Sequence, residues 1–149
     1  MNRGRWIRTG LILTVALISS AVQAWSQSPV RLTVEVIQAS RNGNAVDPSL
    51  GKLRAQLKSL NYSSYQLLAS HPLATTIGAK QVVALPGGKS LDLFPYGLSG
   101  ETLELLVTIT DGTRRLLDTT FRLSNGGTIL VGGPAHGDGV LILAITGSF

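Results

Sequence analysis

The residues with the most capacity for chemistry lie in one stretch, Gly132-Gly133-Pro134-Ala135-His136-Gly137-Asp138-Gly139. An imidazole can exchange a proton near neutral pH or bind a metal, and a carboxylate can orient it or share the ion. Four glycines would let the backbone turn sharply or approach a ligand closely. His136 and Asp138 are therefore the candidate pair for a metal or acid–base site. A protein-built metal site usually takes three or four ligands, so these two are too few alone. The only other histidine is His71, which precedes Pro72 in a distant segment. The same stretch also reads as a wide connection between the last two strands, with both side chains solvated. No cofactor is implied.

Other catalytic patterns fall short on spacing. Gly88-Lys89-Ser90 looks like the end of a phosphate-binding loop, but the glycine required five residues earlier is Val83. The segment also lies between two expected strands. Gly97-Leu98-Ser99-Gly100 lacks the G-x-S-x-G spacing of a nucleophile elbow and precedes a strand. With no cysteine there is no thiol nucleophile, thiolate metal site or disulfide. Tyr62, Tyr65, Phe94 and Tyr96 could form an exposed patch for a sugar or peptide. Packing against a helix or neighbouring strand is the favoured reading for them.

The elements that must position these groups are mostly strands. Arg31–Ile37 alternates, with Leu32, Val34 and Val36 on one face. Asp47 suits an N-cap and Pro48 a first helical position, so a helix is expected over 47–60. Leu50, Leu53, Leu57 and Leu60 share one face of it and read as core. Ser64–Ala69 is expected as a strand stopped by His71-Pro72. Gln81–Leu85 and Ser90–Phe94 flank the turn Pro86-Gly87-Gly88-Lys89. Thr102–Thr110 alternates and is joined to Arg114–Leu123 by Asp111-Gly112, the signature of a type I′ turn. Asn125-Gly126-Gly127 leads to Thr128–Val131. Val140–Ile145 is a continuous apolar run, expected as a central strand buried on both faces.

About eight strands and one early helix imply a mainly β protein. The expected form is an antiparallel β-sandwich or a partly open barrel, its helix covering one face or plugging one end.

The first 24 residues carry an address. Arg3, Arg5 and Arg8 precede the apolar run Leu11–Val22, and Val22-Gln23-Ala24 ends it with small residues where a signal peptidase reads. Roughly 12 apolar residues are too few to span a bilayer, which needs about 20. The expected organisation is a signal peptide over 1–24, a flexible lead-in over 25–30 and one β-rich domain over 31–149. Three of the 13 basic residues lie in the signal, leaving ten against eight acids and a net charge of +2. Without a basic stripe or interleaved aromatics, nucleic acid is an unsuitable partner. A cysteine-free exported chain points to a bacterial periplasmic or secreted protein, and a lipoprotein anchor is excluded because it needs a cysteine. In that setting the sequon Asn61-Tyr62-Ser63 has no meaning.

Two short likenesses bear on this address. The phrase Ser124–Gly133 resembles a β-hairpin of secretin-type outer-membrane pore proteins, which implies a link to envelope secretion machinery. The C-terminal Phe149, preceded by alternating Leu141, Leu143 and Ile145, is similar to the end of an outer-membrane β-barrel. The expected function is a non-catalytic envelope or secreted module for protein binding or assembly. Its expected partner is another envelope protein, recruited along an unpaired strand edge, with no stable membrane insertion after signal cleavage. The alternatives are a small outer-membrane barrel and a small hydrolase or metal-dependent enzyme using His136 and Asp138.

Overall fold

Alternating apolar residues become strands here because each strand has one face toward a shared core. The computed structural model describes residues 28–149. The expected signal peptide and residues 25–27 lie outside them. Eight strands run in chain order: β1 (Pro29–Ser40), β2 (Ser64–Thr76), β3 (Gln81–Leu85), β4 (Lys89–Ser99), β5 (Thr102–Asp111), β6 (Arg114–Ser124), β7 (Thr128–His136) and β8 (Gly139–Ser148). They form two antiparallel four-stranded sheets, ordered β2-β1-β8-β7 and β3-β4-β5-β6. Of the two expected forms, the fold is the sandwich. The closed single sheet of an outer-membrane barrel is not the architecture of the described residues. Among them, no helix is long and apolar enough to cross a membrane.

The main core lies between the sheets. Val30, Leu32, Val34 and Val36 of β1 and Leu141, Leu143 and Ile145 of β8 face Leu91, Leu93, Leu103, Leu105, Val107 and Ile109. A second core lies on the other side of the first sheet, where Ile37, Ala39, Ile142 and Ala144 meet Leu50, Leu53 and Leu57. Strand β8 is thus buried on both faces, which is why its apolar run is continuous. Strand β1 alternates with polar residues only until Glu35. Beyond it, Ile37 and Ala39 replace them on the outer face, where the helical segment provides cover.

That segment is shorter than its leucine pattern predicts. Pro48–Leu53 is a 3₁₀ helix and Arg54–Leu57 a single α-helical turn, labelled α1. Gly51 in the middle weakens a regular α-helix, and two leucines three apart align on one face of a 3₁₀ turn. Asp47 caps it as expected, accepting from the Ser49 N–H at 2.9 Å. The Leu57 carbonyl accepts from the Tyr65 hydroxyl at 2.8 Å.

Three local expectations are corrected. Strand β1 begins at Pro29, and Val30 is fully buried, so the end of the expected lead-in 25–30 belongs to the domain. Strand β2 runs through His71-Pro72 to Thr76, because it is an edge strand and a proline there breaks no ladder. Its register shifts opposite Val36/Ile37, so Tyr65 and Leu67 join the outer core while Ala69 and Leu73 join the inner one. At the β5–β6 turn, Asp111 pairs with Arg114 and only Gly112 has positive φ, +59°. A type I′ turn needs two such residues; one glycine in first position fits type II′.

A candidate protein-binding edge

Residues 132–139 form a hairpin instead of a wide loop. His136 pairs with Gly139 across the two-residue turn Gly137-Asp138, and Gly137 takes φ +57°. The turn is clasped to the end of β1. The Asp138 carboxylate accepts from Asn42 Nδ2 at 2.8 Å, from Ser40 Oγ at 3.1 Å and from Gln38 Nε2 at 3.4 Å. The Asn42 and Ser40 hydrogen bonds hold its pKa below the ordinary carboxylate value. Gln38 also donates to the His136 carbonyl at 3.4 Å. Asp138 therefore fastens a turn, with neutral donors as its neighbours.

His71 is no third ligand. It lies on β2 and His136 on β7, opposite edges of the first sheet with two strands between them, or about 14 Å at ordinary strand spacing. Among the described residues, no three His, Cys, Asp or Glu side chains are grouped to hold a metal. The four aromatics do not converge either. Tyr62 and Tyr65 meet edge to face at 6.5 Å beside the helical segment, whereas Phe94 and Tyr96 lie on β4 of the other sheet. Tyr65 is core, and Tyr96 is 43% exposed beside the β4 register shift. Phe149 packs against the inter-sheet core, its N–H donating to Asn125 Oδ1 at 3.0 Å.

What the fold does present is strand edges, and they differ. The outer strands are β2, β7, β3 and β6. Strand β2 carries Pro72, which removes a donor that an added strand would need, and β7 is interrupted by the register shift that contains Pro134. Strand β3 has only five residues. Strand β6 has eleven, with no proline, and is the only long edge of that kind among the described residues. Its first end bulges opposite Ile109/Thr110, and from Leu117 to Ser124 it pairs with β5 without a break.

Hairpin geometry sets which β6 groups are free. Ser99 with Thr102, and Asp111 with Arg114, each close a two-residue turn and are hydrogen-bonded pairs. Counting in twos along β5 from either end, Leu103, Leu105, Val107 and Ile109 direct their backbone groups to β6. Their partners Leu123, Phe121, Thr119 and Leu117 are thereby satisfied. Asp118, Thr120 and Arg122 point N–H and C=O away from the sheet.

Beside this edge the two sheets part. A cleft of about 480 Å³ is lined by Ile109, Leu116, Leu117, Pro134 and Ala135, with Lys89, Asp111 and Arg114 among its polar walls. Leu117 and Phe121 are only half-buried against the core, and Leu116 is 38% exposed. A second cleft, about 420 Å³, lies beside the helical segment between Asn44, Val46, Arg54, Leu57, Lys58 and Tyr65. The β6 edge combines free backbone groups with the partly covered apolar side chains of Leu117 and Phe121. Edge status depends on which strands pair across the chain, so no local pattern in residues 114–124 announced it.

Comparison with protein families, curated proteins and solved structures returns no match for this chain.

Proposed function

We propose that this chain is an exported, non-catalytic β-sandwich module that binds protein by strand addition along β6, in the envelope or outside the cell. The observation that carries the reading is the β6 edge: long, free of proline, with unpaired backbone groups beside a partly apolar cleft. An added strand would give those groups partners and cover Leu117 and Phe121 on the core side. The residues 1–24 supply the export part of the proposal, through the pattern of Arg3, Arg5 and Arg8 followed by Leu11–Val22.

A photo-crosslinking residue at Asp118, on β6, tests the edge in native cells against the same residue at Gln66, on β2. One defined adduct from position 118, absent from position 66 and lost on adding Thr120→Pro, is expected. Equal adducts from both positions, or none from a folded protein, would overturn the reading. Fractionation with intact mass tests export: a species beginning at Trp25 in the periplasm or medium is expected, and an uncut chain in the cytoplasm would sink it.

A further inference from the structure

The β6 edge is complementary to itself. We infer that its occupant is β6 of a second copy of this chain, related by a two-fold axis through Thr120. This rests on the reading of β6 as the binding edge and names the partner. Centred on Thr120, an antiparallel pair places Asp118 opposite Arg122 of the second copy, twice by symmetry. Asp118, Thr120 and Arg122 are also the residues whose backbone groups point outward, so the hydrogen-bonding phase and the charge pairing agree. Sliding the register by two residues in either direction puts Arg122 opposite Leu116 or Thr120 and loses the match.

Side chains on the two faces agree as well. On the core side, Leu117 comes opposite Leu123 and Thr119 opposite Phe121, which covers the half-buried Leu117 and Phe121. On the outer side, Asp118 already pairs with Arg115 at 2.5 Å and Arg122 with Glu104 at 3.5 Å. Pairing two edges extends these into one row of alternating sign, Arg115, Asp118, Arg122, Glu104, across the junction. The bulge at Leu116 marks the end of the usable stretch. A two-fold contact uses the same surface on both copies and closes. With Pro72 on β2 and Pro134 on β7, the remaining long edges cannot propagate it, so the assembly stops at an eight-stranded sheet across two sandwiches.

Sedimentation of the purified protein over a concentration series tests this, with circular dichroism to confirm that each variant is folded. A reversible dimer is expected. Asp118→Arg alone and Arg122→Asp alone each place like charges opposite one another and should weaken it by roughly tenfold or more. Mixing the two single variants restores opposite charges at both positions and should restore the dimer as a heterodimer. Thr120→Pro should leave a folded monomer. A wild-type monomer at every concentration would overturn self-pairing, while the position-118 crosslink would still decide whether the edge binds another protein. A dimer indifferent to Thr120→Pro would overturn self-pairing through β6. A dimer lost with Thr120→Pro but unmoved by either charge reversal would overturn the register.

Discussion

Asp138, in the last hairpin turn, accepts a 2.8 Å hydrogen bond from the Asn42 side chain, almost a hundred residues earlier in the chain. The contact ties the β7–β8 turn to the loop that leaves β1, and it explains why an acid stands beside Gly137. The Asn42 and Ser40 hydrogen bonds favour the ionised form, so the folded pKa lies below the unfolded one. Its stabilising contribution is therefore complete above the ordinary carboxylate range and is lost as pH falls through the lowered value. Asp138→Asn should lower Tm at neutral pH and flatten the decline as pH falls through and below the ordinary carboxylate range, where the wild-type carboxylate protonates. Asp47, lowered by Ser49, adds loss in the same direction and will keep the variant from being fully flat. Parallel curves of Tm against pH for the two proteins would count against this role.

Gly139 closes the same hairpin under a steric constraint. A Cβ at this position would stand 1.9 Å from the Ala39 carbonyl oxygen, a backbone atom that cannot rotate away. Gly139→Ala should cost about 3 kcal/mol or more, since β1 and β8 must separate locally. Gly132→Ala is the control, because nothing lies within 4 Å of its Cβ position. The unfolding free energy from urea titration should fall sharply for the first and change by no more than about 0.5 kcal/mol for the second.

Where a pattern was local, the residues themselves revealed it. Leu103, Leu105, Val107 and Ile109 alternate because β5 has the core on one side only, and Leu141–Ile145 run unbroken because β8 has cores on both. The leucine stripe marked the correct buried face at 50, 53 and 57, but not the 3₁₀ geometry that Gly51 and the cap favour. Pro72 misled for a topological reason: a proline breaks a central strand, and only the pairing of β1 with β8 places β2 at the edge. The glycine-rich stretch misled in the opposite way, since Gly132 and Gly133 sit in a strand and only Gly137-Asp138 turns. Nothing local distinguishes β6 from the strands inside the sheet.

The helical segment is held more by what it covers than by its own backbone. A single α turn after a 3₁₀ turn is far below the length that is stable alone. Leu57→Ala should thus cost about 2–5 kcal/mol by opening the outer core around Ile142 and Ala144. Tyr65→Phe removes only the hydroxyl that donates to the Leu57 carbonyl and should cost about 1 kcal/mol. Burial raises the Tyr65 pKa, so its neutral form is favoured in the fold; that stability is complete below the unfolded tyrosine range and is lost as pH rises from it through the raised folded value. Tyr65→Phe should accordingly blunt alkaline unfolding, and an unchanged alkaline limb would contradict the assignment.

Neighbouring residues on β6 provide the most direct test of which backbone groups are free. Thr119 lies opposite Val107, in the set that bonds to β5, whereas Thr120 lies opposite Leu106 with its N–H directed outward. A proline removes that N–H in either case, but the structural loss differs. Thr119→Pro deletes a ladder hydrogen bond within the sheet and should cost about 3 kcal/mol or more. Thr120→Pro deletes none, and its cost should be confined to the backbone adjustment, about 1–2 kcal/mol. Hydrogen exchange should show the same phase, with the Phe121 amide protected and the Arg122 amide fast in the monomer, then slowed when the edge is occupied. If Thr119→Pro proved the milder substitution, the hydrogen-bonding phase would be reversed, and Asp118, Thr120 and Arg122 could not present the edge to a partner.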